Sequence, residues 1–147
     1  GIVESGTRRE EIGASRTSAG FSETVTPGEH YRFINLGVDE ADPKPEHVET
    51  FRAVKRDRLD AAPTRGVRFV GHASSPGSET HNMGLARRRA VAFYRMAQRE
   101  GVSRSRLVDV ARPPHFGESL PSVTEEDVVT RAMNRRVEMF LIDGAAP

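Results

Sequence analysis

The chain contains no cysteine and no tryptophan, and it has little lysine. The absence of cysteine excludes disulfides, thiolate catalysis and thiolate metal sites, although the redox compartment stays open. No apolar run reaches the roughly 18 residues that a membrane-spanning helix needs, so we expect no direct membrane insertion by this fragment. Lys44 and Lys55 are the lysines among 22 basic residues, and the others are arginines. Arginine suits bidentate recognition of a carboxylate better than lysine does.

The remaining composition is that of an ordinary folded domain. The 147 residues are 36% hydrophobic and carry a formal net charge of +1. This length fits one domain, or one domain with a tail, and it can bury a core without metal or disulfides. A net charge near zero supplies no bulk field that would draw the chain to nucleic acid or to an anionic membrane. The chain opens with Gly1 rather than Met, and we expect a processed or cut piece of a longer protein.

The chain divides by composition into three parts. Residues 1–29 are polar and rich in Ser, Thr, Gly and Glu, which predicts a linker or arm with at most one short strand, near Phe21–Thr26. Residues 30–143 carry the periodic apolar pattern of a folded domain. Residues 144–147 are expected to be a frayed tail.

Within 30–143 the pattern predicts an α+β fold in the order β-α-β-α-β-β, a small mixed sheet with two main helices packed on one face. Predicted strands are Tyr31–Leu36, Val67–Gly71, Leu107–Ala111 and Arg136–Ile142. The first helix is expected to start near Asp42, with proline in its first turn. The second runs from Thr80 or His81 to Glu100, and Gly101 is placed to end it as a left-handed cap.

Two motifs carry most of the functional information. The first is Gly71-His72-Ala73-Ser74 with Asn82, Leu85 and Arg89-Ala90 at fixed distances after it, and the second is Asn134-Arg135-Arg136-Val137-Glu138. Together they resemble the signature of the OmpA-like C-terminal, peptidoglycan-binding domain. That family usually reads Gly-His-Thr-Asp, then Asn-x-x-Leu-Ser-x-x-Arg-Ala, and later Asn-Arg-Arg-Val-Glu. The resemblance covers about residues 31–142 and implies the same element order.

The resemblance also implies a ligand. In the family, the residues at the positions of Ser74 and Arg89 contact the diaminopimelate of the peptidoglycan stem peptide. An arginine clamps its carboxylate with two parallel hydrogen bonds, and an aspartate faces its amine. This chain keeps Arg89 but has Ser74 where the family carries Asp. Exchanging a charged hydrogen bond for a neutral one loses about 1–2 kcal/mol, or roughly 5–30-fold in affinity. Glu79, in the same loop, is a second source of negative charge.

The other candidate ligand-binding residues are His72, Asn82, Arg135 and Arg136. On a strand, Arg135 and Arg136 would point to opposite faces, so that one faces the groove while the other pairs with an acid such as Glu138 or Asp109. For Arg89 the structural alternative is a solvated basic face shared with Arg87 and Arg88. For Asn82 the structural alternative is a role at the start of the second helix.

Other chemistries have little support in the sequence. The five histidines lack HxxxH or HExxH spacing, so no metal site is expected. No nucleophile elbow and no glycine-rich nucleotide loop is present, so we expect neither an enzyme nor a cofactor, and no nucleic-acid partner. The leading hypothesis is a wall anchor on the periplasmic side of the cell envelope. The alternative is a structural or protein-docking module of an envelope complex, a motor stator or a phage-tail-like injection system that has lost wall binding.

Overall fold

The computed structural model describes residues 7–10, 30–73, 78–113, 115–116 and 135–145, of which 7–10 and 115–116 are described by their backbone alone. Its strands are β1 (Thr7–Glu10), β2 (His30–Phe33), β3 (Gly66–His72), β4 (His115–Phe116) and β5 (Val137–Ile142). Its main helices are α1 (Pro45–Val54), which continues into a π-helical turn over Lys55–Leu59, and α2 (Glu79–Arg99). A 3₁₀ turn spans Arg104–Arg106.

The described strands form one mixed sheet in the order β1-β2-β5-β3-β4. The pairs β1–β2, β2–β5 and β5–β3 are antiparallel, and β3–β4 is parallel. In the central register, Met139 of β5 lies between Tyr31 of β2 and Phe69 of β3. The last described strand, β5, therefore sits in the middle of the sheet, between β2 and β3.

Alternation along β5 assigns the two faces of the sheet. Val137, Met139 and Leu141 belong to the main apolar cluster, together with Phe51 of α1 and Phe93 of α2. Side chains on a strand alternate between faces, so Glu138 and Phe140 point away from the helices. Phe140 packs there with Val70 and Ile142 in a separate small cluster. Both helices thus cover one face, as predicted from the sequence.

The predicted third strand is wrong in position. In the segment Leu107–Ala111, Leu107 forms an isolated parallel bridge with Val67, and the chain then turns. Asp109 adopts a left-handed backbone with φ of 61° and pairs with Arg68, which ends extended pairing. The strand that does pair with β3 in parallel is β4, a few residues later. The α+β class and the general element order are confirmed, with one more strand, β1, at the edge.

The C-terminal end of α2 agrees with the sequence prediction more closely than the N-terminal end of α1 does. Gly101 has φ of 100°, which confirms the predicted left-handed cap of α2. The amides of Gly101 and Val102 donate to the carbonyls of Gln98 and Ala97, so the cap is a Schellman motif. The first helix starts later than Asp42, with Lys44 as N-cap and Pro45 in the first turn. The expected strand near residues 21–26 lies outside the described residues, and the division at 29 and 143 stays a prediction.

Candidate functional site

Arg89, in the third turn of α2, joins three separate parts of the backbone. Its Nε donates to the carbonyl of Glu40 at 2.8 Å, Nη1 to that of His72 at 2.9 Å and Nη2 to that of Gly37 at 2.8 Å. The side chain is fully buried. The guanidinium therefore ties the loop between β2 and α1 to the end of β3.

The same loop is held at two further points. Arg135 donates from Nε to the carbonyl of Leu36 at 2.6 Å, and the amide of Leu36 donates back to the carbonyl of Arg135 at 3.2 Å. Nε2 of His81, on the first turn of α2, lies 2.8 Å from Oδ1 of Asp39. Asn35 and Asp39 both adopt left-handed backbone, with φ of 64° and 58°. A conformation of this kind persists when the surroundings enforce it, and here three side chains do so.

Positive charge is concentrated at this point. Burial and, to a smaller extent, the nearby charge of Arg135 lower the pKa of Arg89 to about 10, while Asp39 and Glu40 oppose the shift. In the part of the chain that the structure describes, all three hydrogen-bond acceptors of Arg89 are neutral carbonyls. A guanidinium has five N–H donors, so two of those on Arg89 are not used by these bonds. The arrangement is suited to an anion with two oxygens, such as a carboxylate.

The close approach of β3 and α2 positions Arg89 next to the end of the strand. A Cβ on Gly71 would collide with the carbonyl oxygen of Ala86, one turn before Arg89 on the helix. Glycine is therefore required at this position for steric reasons rather than for its backbone angles. The close packing of β3 against α2 thus explains the glycine at the start of the first motif.

A second polar cluster lies on the opposite face of the sheet, around the carboxylate of Glu138. Arg136 donates to its Oε2 from Nε at 2.8 Å and from Nη2 at 2.6 Å. Nε2 of His30 lies 2.8 Å from Oε1, and Nε2 of His72 lies 3.1 Å from Oε2. All four side chains are buried. We call this group the Glu138 cluster.

The charges of the Glu138 cluster are strongly coupled. Burial alone would raise the pKa of Glu138, but the Arg136 guanidinium, His72 and the hydrogen bond with His30 hold it well below its usual range. Burial and the charge of Arg136 lower the pKa of His72 to about 4. At neutral pH the cluster therefore contains an ionised carboxylate, a guanidinium and an uncharged His72.

The predicted site residues separate into two groups. Arg89 and Arg135 lie at the loop between β2 and α1. Arg136 pairs with Glu138 on the other face, which confirms that one of the two motif arginines pairs with an acid. Asn82 is buried in the first turns of α2. Ser74 lies outside the described residues.

β3 continues one residue past the predicted end at Gly71, so His72 is the last residue of the strand. Its ring belongs to the Glu138 cluster, while its carbonyl reaches Arg89. The alternation of β3 is the reason, since Phe69 and Gly71 face the helices and His72 therefore faces away from them. Sequence reasoning missed the loop residues that contact Arg89, because their backbone carbonyls, rather than their side chains, make the bonds. Sequence reasoning also missed the contact of His30 with Glu138.

Within the described residues, no group of three or more His, Asp or Glu side chains is arranged to hold a metal ion. Among the same residues, no helix has the length and apolar character needed to cross a membrane.

Comparison with solved structures identifies the class of fold as that of OmpA-like domains. The OmpA-like domain of FopA1 from Francisella tularensis matches with a TM-score of 0.55 and 16% identity, over 81% of this chain and 78% of that one. The peptidoglycan-associated lipoprotein of Burkholderia pseudomallei matches with a TM-score of 0.65 and 19% identity, over 74% of this chain and 87% of that one.

Sequence comparison finds a related protein with a curated name. The chain is 35% identical over 101 residues to the peptidoglycan-associated lipoprotein of Pseudomonas aeruginosa. The match covers 69% of this chain and 56% of that protein, so the chain spans little more than half of its length. No family model matches the chain.

Proposed function

We propose that this chain is a non-enzymatic domain that binds peptidoglycan non-covalently through the stem peptide and anchors an envelope protein or assembly to the cell wall, on its periplasmic face. Its similarity to a peptidoglycan-associated lipoprotein supports the kind of ligand. The fold shared with OmpA-like domains supports the class of domain. Diaminopimelate is the ligand group that we propose for the site.

The observation that carries the proposal is the buried guanidinium of Arg89, whose described partners are neutral carbonyls. A buried charge is costly unless it is paired, and Arg135 adds a second positive charge beside it. Asp39 and Glu40 act on this charge through space, and a carboxylate of the stem peptide would supply a negative partner in direct contact. Because Arg89 is buried, the ligand would reach it by displacing part of the covering loop or one of the carbonyls.

Ser74 would be the partner of the ligand's amine. A hydroxyl accepts a hydrogen bond from an ammonium group but does not neutralise its charge. We therefore expect weaker binding than an aspartate at this position would give. His72, Asn82 and Arg136 would contribute by fixing the backbone around the groove, and Arg135 by its charge.

The test is calorimetric titration of a diaminopimelate-containing stem peptide into the 147-residue chain and its variants. Ser74→Asp is expected to raise the affinity roughly 5–30-fold, the gain that a charged hydrogen bond gives over a neutral one. Ser105→Asp is the matched control, because Ser105 follows the far end of the 21-residue helix α2, about 30 Å from its start. The control should bind as the wild type does. Arg89→Lys should bind more weakly, since it keeps the charge and loses the fork.

A second candidate function is a docking module that has lost wall binding. Two observations favour it, namely Ser74 in place of the family's Asp and the use of Arg89 as a tie between backbone segments. Absence of binding at millimolar peptide in both the wild type and Ser74→Asp would overturn the wall-anchor proposal and favour this one. Binding in Ser74→Asp but not in the wild type would show an intact groove whose affinity for this ligand has been lost.

A further inference from the structure

A groove with a volume of about 480 Å³ runs along the outer face of α2 and is bordered by Ala41 and Asp42, which follow the loop residues that Arg89 holds. Four of its lining residues are arginines, and the others are small or acidic: Ala41, Asp42, Arg87, Arg88, Val91, Ala92, Arg95 and Arg99. We call this the arginine groove. It is separate from the proposed wall-binding site, because Arg89 points into the protein while these arginines are exposed.

The spacing of the arginines produces a row. Arg88, Arg95 and Arg99 are separated by seven and four residues, which places them on one side of a helix. With a rise of 1.5 Å per residue, the separations along the axis are about 10 Å and about 6 Å. The second value is the separation of two glutamates one turn apart on a partner helix.

These arginines differ from others on the surface. In the part of the chain that the structure describes, none of the four arginines of the groove forms an ion pair. By contrast, Arg52 pairs with Glu100 at 2.6 Å and Arg65 pairs with Asp143 at 2.6 Å. Acidic side chains thus pair with arginines elsewhere on the surface, and among the lining residues of the groove Asp42 alone is acidic. The result is a local excess of positive charge on a protein whose net charge is +1.

The floor of the groove is apolar. Val91 and Ala92 are half-buried on α2, and Ala41 is half-buried on the loop that faces them. A partner that places an apolar side chain on this floor would gain burial in addition to its charge interactions. Asp42, at the wall of the groove, would repel a densely charged polyanion. These features favour a peptide over a phosphate polymer.

We propose that the arginine groove binds an acidic peptide segment of a partner protein, with an apolar side chain on the Val91–Ala92 floor and carboxylates paired with Arg88, Arg95 and Arg99. Arginine forks bind carboxylates with two parallel hydrogen bonds, which gives orientation as well as attraction. The proposal concerns a second surface, and it holds whether or not the wall-binding proposal is correct.

The test uses fluorescence anisotropy with a labelled helical peptide in which glutamates one turn apart flank a leucine. Binding to the 147-residue chain is expected at low salt, and it should weaken but persist at about 0.15 M salt, where the screening length is about 8 Å. The variant Arg95→Glu/Arg99→Glu should lose at least about tenfold in affinity. The variant Arg56→Glu/Arg104→Glu is matched in charge and is also exposed, but it lies outside the groove and should bind as the wild type does.

Three outcomes would overturn the proposal. The first is an equal loss of affinity in both double variants, which would mean attraction by net charge alone. The second is unchanged binding when leucine is replaced by serine in the peptide, which would remove the role of the apolar floor. The third is binding to phosphatidylglycerol vesicles in place of the peptide, which would indicate a membrane surface. Circular dichroism of each variant confirms that exposed substitutions leave the fold intact.

Discussion

Arg89 and His72 are joined through the backbone: the guanidinium donates to the carbonyl of His72 at 2.9 Å, while the ring of His72 lies 3.1 Å from Glu138 on the other face of the sheet. One residue thus belongs to both polar groups of the protein. The amide of His72 is also fixed, since it donates to the carbonyl of Arg136 at 2.9 Å. The backbone of His72 is therefore held at its carbonyl by Arg89 of the first motif and at its amide by Arg136 of the second.

The first prediction concerns the carboxylate at the centre of the Glu138 cluster. Glu138→Gln leaves Arg136 buried without its negative partner, and breaking a buried ion pair costs about 3–5 kcal/mol. We expect the free energy of unfolding, measured by urea denaturation, to fall by that amount. Asp109→Asn is the matched control, because its pair with Arg68 is partly exposed and should contribute less than about 1 kcal/mol. Equal effects of the two substitutions would contradict the structural role of the Glu138 cluster.

The second prediction is a loss of stability in mild acid. The pKa of His72 is lowered to about 4, from an ordinary value of 6.5, so the unfolded chain takes up the proton first. Stability is therefore complete above about pH 6.5 and falls between pH 6.5 and 4, by about 1.4 kcal/mol per pH unit for one proton. The lowered pKa of His47 acts in the same direction. Glu138, whose pKa is also lowered, adds a loss below its ordinary value of about 4.5.

The measurement is urea denaturation at intervals between pH 7 and pH 4. His72→Gln should have a shallower dependence on pH than the wild type, even though it is less stable at pH 7. A wild-type free energy that is constant over this range would contradict the assignment of a neutral, buried His72.

The third prediction uses two glycines as a matched pair. Gly71→Ala places a methyl group against the backbone of Ala86, where neither the strand nor the helix can yield without movement. We expect destabilisation of at least about 2 kcal/mol and a displacement of α2 relative to β3 beside Arg89. Gly84→Ala, inside α2, meets only the flexible end of Arg88 at 3.4 Å and should stabilise the protein by about 0.5–1 kcal/mol. In thermal denaturation the midpoint temperature should fall for Gly71→Ala and rise for Gly84→Ala, and shifts in the same direction would contradict this packing.

Sequence reasoning recovered the elements with strong local signals. Helix α2 was predicted to within one residue at its C-terminal end, because Gly101 has the left-handed angle that ends a helix. The strand at Leu107–Ala111 was predicted from apolar, β-branched residues, and it failed because Asp109 turns the chain and pairs with Arg68. That pairing depends on tertiary contact and leaves no trace in local periodicity.

The contacts of the candidate site residues could be predicted only in part, for a similar reason. Arg89 was identified through the resemblance to a family motif, and its partners are backbone carbonyls, which every residue has. The pairing of Arg136 with Glu138 was among the expected alternatives, since the two residues are neighbours on one motif. His30 was missed because it lies 108 positions from Glu138 and no local pattern connects them. Such contacts emerge only when β2 and β5 are known to pair.

The last prediction separates the structural function of Arg89 from its proposed function in binding. Arg89→Lys keeps the charge but has a single donor group, so at most part of the contact with the three carbonyls survives. The loop over residues 35–40 should then loosen, and the amides of Leu36 and Glu40, which now donate to Arg135 and Gly37, should exchange with deuterium faster. Arg88→Lys, one residue away and exposed, should leave both exchange rates unchanged. If the amides stay protected in Arg89→Lys while stem-peptide binding is lost, the arginine acts on the ligand directly. If the exchange rates rise and binding is unchanged, the function of Arg89 is to hold the loop. The proposal that it clamps the ligand's carboxylate then fails.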